Sequence, residues 1–275
     1  MTATRPLFLL TNDDGIHSPG LLAVAEAVCD LGDLLMVAPV TQQTGMGRGI
    51  PPMTDRQIRR EAVTVGCQDM PAYGLTGSPA QAVLYGVLAL APHICGRKPD
   101  LVISGINYGE NLGTCVTASG TVGAALQAAE LGVPGLAVSL ETDTAFHLHH
   151  GQGLDWTAAA ASTRHFARMM LAAQLPFDVD VLKIDVPADA TTETPWRITR
   201  QSRQSYYRDY PPTDFSPEGS LALLDYGIHV QWDTLEPESD IYAFAVDRVI
   251  AVTPLSHDLT SRTDFTALER QLRNA

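Results

Sequence analysis

The sequence predicts an α/β fold: a doubly wound, mostly parallel sheet with a C-terminal extension. Three observations carry that prediction. Short apolar runs alternate with longer helical patterns through the first two thirds of the chain, and such alternation implies parallel strands joined by crossovers. Three of the apolar runs end in polar, Gly-punctuated turns, where open parallel sheets bind ligands. The 275 residues are 45% apolar and 18% charged, a globular composition on a chain long enough for a sizeable core.

Element by element, Leu7–Thr11 is a buried strand by length and composition, ended by Asn12-Asp13-Asp14-Gly15. Leu21–Cys29 repeats apolar residues at steps of three and four, so it is a helix, stopped by Gly32. Leu34–Ala38 is a second strand, closed by Pro39, and the Gly-rich segment Thr41–Gly49 is a loop. Pro79–Leu90 has a helical pattern, and Leu101–Ser104 is a strand that breaks at Gly105. Thr121–Leu131 is an alanine-rich helix, Gly135–Leu140 a strand, Trp156–Leu175 a long helix and Val181–Val186 a strand. Thr191–Glu218 is rich in Pro, Thr, Arg and Tyr without clean periodicity, which suits an extended arm or hairpin. Ile241–Pro254 returns to a strand-like pattern. The expected organisation is one domain over 1–275, with a catalytic core to about 190 and an arm over 191–275.

Charge narrows the function. With 18 Lys+Arg against 31 Asp+Glu the net charge is −13, which excludes a broad basic face for a stable nucleic-acid complex. Only Lys98 and Lys183 are lysines, so a polyanionic substrate must be held by a metal, helix ends or a few arginines. Cys29, Cys67, Cys95 and Cys115 show neither a CxxC pair nor zinc spacing, and read as four reduced thiols. The run Leu7–Leu10 is too short for a signal sequence or a membrane span. The expectation is a cytoplasmic protein with no membrane association.

The chemistry gathers at the turns. Asp13 and Asp14 are adjacent carboxylates directly after an apolar strand, and like charges so placed raise each other's pKa. A divalent cation removes that conflict and takes oxygen ligands; otherwise one carboxylate caps a helix and the other faces solvent. The loop Thr41-Gln42-Gln43-Thr44-Gly45-Met46-Gly47-Arg48-Gly49 brings hydroxyls and backbone that can reach a metal or a phosphate. In Ser104-Gly105-Ile106-Asn107-Tyr108-Gly109, Asn107 can give a carbonyl oxygen to a hard cation, or serve as a plain turn residue. Ala118-Ser119-Gly120-Thr121 opens the alanine-rich helix, with Ser119 as N-cap and amides at Gly120 and Thr121 facing any anion. A cation beside a helix N-terminus is what a phosphomonoester needs for charge neutralisation and in-line attack by water.

These turns, with Gly77-Ser78-Pro79-Ala80 and Thr253-Pro254-Leu255, occur in the order of the survival protein SurE family, which the chain resembles from Leu9 to about Thr260. The resemblance implies a Rossmann-like, three-layer core and a C-terminal extension that exchanges between subunits to give a homodimer or homotetramer. It implies a phosphomonoesterase that hydrolyses nucleoside 5′- and 3′-monophosphates with one divalent ion per subunit, Mn²⁺ or Mg²⁺. Carried over residue by residue, Asp13, Asp14, Thr44 and Asn107 are metal ligands, and Asp13, Asp14 and Asn107 the catalytic group. Asn12, Ser119, Gly120 and Thr121 bind phosphate or substrate. Thr44 stands for the family's serine, Ala118 for a tyrosine, Gln81 for an aspartate and Ala82 for a cysteine. The general base stays open between Asp14 and the metal alone, and a nucleotide-sensing protein with little turnover is the alternative.

Other residues read more plainly. His147, His149 and His150 are solvated loop histidines, flanked by Gly151 and Gly153. His17 is either structural or next to substrate, and His257-Asp258 makes a local hydrogen bond. Tyr206–Tyr210 with Arg203 and Arg208 packs between arms of neighbouring subunits rather than stacking bases. A haloacid-dehalogenase-like mechanism is excluded, since it needs Asp-x-Asp and a downstream lysine near a Gly-rich turn.

Overall fold

A computed structural model describes residues 5–52, 55, 57–66, 70–147, 153–213, 216, 218 and 224–274. In chain order its elements are β1 (Leu7–Thr11), α1 (Pro19–Val28), β2 (Asp33–Pro39), β3 (Ile58–Arg60), β4 (Ala72–Leu75), α2 (Pro79–Tyr85), α3 (Ala91–Cys95) and β5 (Leu101–Tyr108). There follow α4 (Gly120–Glu130), β6 (Gly135–Leu140), α5 (Thr157–Ala172), β7 (Val181–Val186), β8 (Trp196–Ile198), β9 (Tyr207–Asp209), β10 (Tyr226–Ile228), β11 (Ile250–Leu255) and α6 (Phe265–Arg273).

The main sheet has the order β3-β4-β2-β1-β5-β6-β7-β11-β8, and every pairing from β4 through to β7 is parallel. Antiparallel β3 and β11 flank that stretch, with β8 parallel to β11 at the edge. Strand alternation makes the three layers. Leu7 and Leu9 of β1 join one core with Val83, Val87, Ala124 and Ala128 of the α2–α4 side. Phe8 and Leu10 face the opposite way, into a core with Leu21, Val24 and Phe166 of α1 and α5. All four are completely buried, and each such side chain contributes roughly 1.5–3 kcal/mol. From β1 the chain winds outward through β2 and β4, then returns to β5 on the other side of β1. The crevice beyond the ends of β1 and β5 is therefore the topological switch point.

Several differences from the sequence reading have local causes. The helix expected over Pro79–Leu90 divides into α2, a wide helical turn at Gly86–Leu90, and α3. At Gly86 a Cβ would lie 2.7 Å from Leu9 Cδ2, so the chain passes there directly over β1. The strand expected to break at Gly105 continues to Tyr108, with a register shift between Ser104 and Asn107. Within Ile241–Pro254 the first part, Tyr242–Val246, is a helical turn whose start is tied by Ser239, and the strand follows at Ile250. Of the segment beyond 190, β8 and β11 join the main sheet while β9 and β10 form a separate hairpin. Cys29 is disulfide-bonded, which corrects the reading of four reduced thiols, and Cys67 lies outside the described residues. Cys95 and Cys115 are free. Among the described residues no helix is long and apolar enough to cross a membrane.

Candidate active site

The turn after β1 is braced by its own asparagine. Asn12 Nδ2 donates to the Gly15 carbonyl (3.1 Å) and to Ser18 Oγ (2.8 Å), while Asn12 Oδ1 accepts from the Gly15 amide (3.1 Å). Ser18 in turn caps α1. The Asn12 amide is thus engaged inside the turn, and its consequence is to hold the next two residues in the crevice. Asp13 and Asp14 are 4% and 2% exposed. Asp13 receives the Thr121 hydroxyl and the backbone amides of Gly120 and Thr121 at the start of α4. Burial pushes its carboxyl up, and those donors oppose the rise. Asp14 is pushed well above the usual carboxylate range, first by burial and then by the Asp13 charge. The Tyr108 amide and Gln42 Nε2, 3.3 Å from Asp14 Oδ1, counter this only in part.

The remaining predicted residues converge on this pair to different degrees. Asn107 Nδ2 donates to the carbonyls of Tyr108 (3.2 Å) and Gly109 (2.6 Å), so Oδ1 is the atom it has to offer a cation. Thr44 reaches the carboxylates through an intermediary: its hydroxyl and Gln42 Nε2 both donate to the His147 carbonyl, at 3.4 and 2.7 Å. The loop carrying Thr44 is strapped down by Gln43 N to the Asp13 carbonyl (2.7 Å) and by Gly47 N to the Ala118 carbonyl (2.9 Å). Ser119 caps α4 by accepting from the Val122 amide at 3.1 Å. The Gly120–Thr121 amides, expected to face phosphate, face the Asp13 carboxylate.

A divalent ion suits this donor set. Two desolvated, adjacent carboxylates carry like charge that protein donors offset incompletely, and the flanking donors are an amide oxygen and a hydroxyl, which favour a hard cation. Among the described residues no group of three or more His, Cys, Asp and Glu is placed to hold a metal. A nitrogen- or sulfur-rich site is therefore not formed by those residues.

Sequence reasoning missed the groups behind the site. His147 is buried (8% exposed), not solvated: its Nδ1 is 3.0 Å from the Tyr226 hydroxyl and its ring packs on Tyr207 and Tyr226. Burial pushes its pKa down. His149 and His150 lie outside the described residues. Glu110 is buried three positions after Asn107, and Oε1 accepts from the Tyr207 hydroxyl. Beneath the same turn Lys183 is buried between Asp185 and Asp240; Asp185 accepts the Asn111 amide (2.7 Å) and Asp240 the Gly113 amide (3.0 Å). Burial works against the Lys183 charge, yet the two carboxylates together raise its pKa. Lys183 lies within β7, outside any Gly-rich turn as the sequence reads, and its carboxylate partners hold the Asn111 and Gly113 amides of the turn above it. Gln81 completes a capping box with Ser78 and donates to the Pro51 carbonyl at 2.7 Å, so its amide is structural.

Glu110 makes a stability prediction. Burial, opposed by the Tyr207 hydroxyl, pushes its carboxyl up to about 7. The folded protein keeps a proton that the unfolded chain releases from the ordinary value of 4.5 upward, so this group's contribution to stability falls as pH rises from there towards 7. Glu110→Gln should remove that slope and melt several degrees above the parent near pH 8, with a smaller gap near pH 5. Melting curves across that range check it; parallel curves would place the buried charge elsewhere.

A family model described as survival protein SurE matches residues 8–208. The protein named 5′-nucleotidase SurE of Thermococcus gammatolerans is 40% identical over 267 residues, covering 96% of this chain and 95% of that protein. Its namesake from Archaeoglobus fulgidus is 36% identical over 262 residues, covering 95% of each. Among solved structures, the SurE protein of Aquifex aeolicus matches with a TM-score of 0.73 at 29% identity, covering 97% of this chain and 100% of that one.

Proposed function

From the premise that the chain belongs to the survival protein SurE family, we propose that the switch-point crevice hydrolyses nucleoside 5′-monophosphates, and the 3′-isomers, to nucleoside and phosphate. The protein is a 5′-nucleotidase of the metal-dependent kind. The observation that carries this reading is the buried Asp13–Asp14 pair at the ends of β1 and β5, beside the N-terminus of α4.

Asp13, Asp14, Asn107 and Thr44 would hold one divalent ion, which we assign as Mn²⁺ or Mg²⁺. When bound, such an ion neutralises the two carboxylates, polarises phosphoryl oxygens and lowers the pKa of water. The chain's own residues supply the geometry. Thr121 and the Gly120 amide fix the Asp13 carboxylate, and Ser119 caps the helix whose positive end draws a phosphoryl group towards the crevice. Asp14, kept from solvent and weakly supported by donors, is the carboxylate best suited to take a proton from the attacking water. Thr44 keeps the hydroxyl of the family's serine. We further propose one domain with a catalytic core to about 190, an arm over 191–275 that builds a homodimer or homotetramer, and a cytoplasmic location.

Phosphate release from a nucleoside monophosphate, measured with and without EDTA, tests the proposal. Turnover should vanish in chelator and return with Mn²⁺ or Mg²⁺. Chelator-resistant turnover would remove the metal from the reaction, and binding without release would make the protein a sensor.

A further inference from the structure

We propose that the β9–β10 hairpin is a wall of the catalytic site, in which Tyr207 and Tyr226 are positioning residues that fix the end of β5 bearing Asn107 and the loop bearing Thr44. The inference rests on the metal-dependent reading above and extends it to residues which that reading leaves unused.

Two grips support it. The Tyr207 hydroxyl donates to Glu110 Oε1. Glu110 stands three residues past Asn107, on the turn whose Tyr108 amide supports Asp14. The Tyr226 hydroxyl lies 3.0 Å from His147 Nδ1. The His147 carbonyl then accepts from both Thr44 and Gln42, and Gln42 also donates to Asp14. One grip therefore reaches the site from the β5 side and the other from the β2 side. They act as a unit because the hairpin joins them: Tyr207 pairs with Ile228, and Tyr226 with Asp209. The Tyr207 and Tyr226 rings meet edge-on at 5.7 Å, and Tyr207 meets His147 in the same manner at 5.7 Å. At Gly109, with φ +93°, a Cβ would run into the His147 ring, so the turn and the histidine already touch. Next to the hairpin, Tyr206 is 3% exposed and packs on Phe244, in a buried cluster that also takes in Leu112 and so anchors the arm to the body.

Packing alone would not need these hydroxyls. A phenylalanine fills the same space, yet each phenol oxygen here meets a buried residue tied to a proposed ligand: Glu110 stands three positions along the chain from Asn107, and the His147 carbonyl accepts from Thr44. A group that bonds a metal ligand directly sets its orientation, and losing one typically lowers metal affinity or activity 10–100-fold; the two phenols act one residue further back, which sets the expected effect at the lower end of that range.

The test uses full-length, metal-free protein and Mn²⁺ calorimetry on Tyr207→Phe and Tyr226→Phe, with melting temperature recorded for each. Arg208→Ala serves as the control, since that side chain sits on the same hairpin and faces His229. The expected result is Mn²⁺ affinity lowered about tenfold or more in both phenylalanine variants, at melting temperatures close to the parent, with Arg208→Ala unchanged. A parallel fall in kcat/KM for the nucleotide should accompany it. Parent-like Mn²⁺ affinity in both phenylalanine variants would overturn the proposal, and so would an equal loss in Arg208→Ala. Failure of the parent itself to bind Mn²⁺ would instead overturn the metal-dependent reading, so the two failures are distinguishable.

Discussion

Replacing Asp14 with asparagine is expected to lower metal-dependent phosphate release by three or more orders of magnitude while making the metal-free protein more stable. The two effects have one source. Asp14 is 2% exposed, beside a second buried carboxylate, and its donors are the Tyr108 amide and Gln42. Two unit charges 4 Å apart repel by about 4 kcal/mol at an effective dielectric of 20, and desolvation adds several kcal/mol per ion. Asparagine keeps the shape and one acceptor oxygen for Gln42, and removes the charge. Because Asp14's carboxyl is held well above its ordinary value of 3.8, the folded metal-free protein binds a proton that the unfolded chain releases. Its stability therefore falls as pH rises above that ordinary value, and the variant's advantage should grow in the same direction. Melting curves with and without Mn²⁺ read both effects: Mn²⁺ should raise the melting temperature of the parent and leave that of the variant unmoved. A variant with full turnover, or with the parent's metal-dependent shift, would take Asp14 out of the site.

The same residues show what a sequence exposes and what it hides. β1 and β6 are observed at the limits their largely apolar runs predict, because a strand buried on both faces is written mostly in apolar residues between turn residues, and β7 also keeps its predicted limits although Lys183 and Asp185 interrupt its apolar pattern. β3 and β4 carry no such signature: Ile58–Arg60 is fully exposed, and Ala72–Leu75 contains a glycine against which Val40 and Glu61 pack. Asp13 and Asp14 were legible as candidates because two adjacent carboxylates follow an apolar strand, and Asn107 because it can offer a carbonyl oxygen in a Gly-punctuated turn. His147, Glu110 and Tyr207 were not, since their partners lie 79, 97 and 97 positions away, and nothing local distinguishes a buried histidine from a solvated one. α6 escaped notice for the opposite reason. All nine of its residues are exposed, and its Phe265, Leu268 and Leu272 face is left open among the described residues. Asn12 and Thr121 enter as substrate or phosphate groups through the family resemblance, and in the structure their side chains bond within the turn and to Asp13.

Gly120→Ala should abolish Mn²⁺ binding and lower kcat/KM by two or more orders of magnitude, against the sense of helix propensity. In an ordinary helix, alanine is favoured over glycine by about 0.8–1.0 kcal/mol, and the change would also restrict the unfolded chain. Here the added Cβ would lie 2.6 Å from Asp13 Oδ2 and 2.7 Å from Asp13 Cβ. One side must give way. α4 cannot retreat, because Val122, Ala124, Ala125 and Ala128 are buried along it and Gly123 already lies against the Gly47 carbonyl. Because Asp13 Cβ is part of the clash, the backbone at Asp13 must shift, carrying the carboxylate out of the bonds it makes with Thr121 and the two amides and taking a metal ligand with it. A double-mutant cycle separates this clash from a general loosening of the helix. In an Asp13→Gly background both the carboxylate and its Cβ are gone, and Gly120→Ala should add no further loss of binding and should raise the melting temperature relative to Asp13→Gly alone. An equal loss of stability in both backgrounds would mean that the glycine serves the helix and not the carboxylate, and the placement of Asp13 against the start of α4 would have to be redrawn.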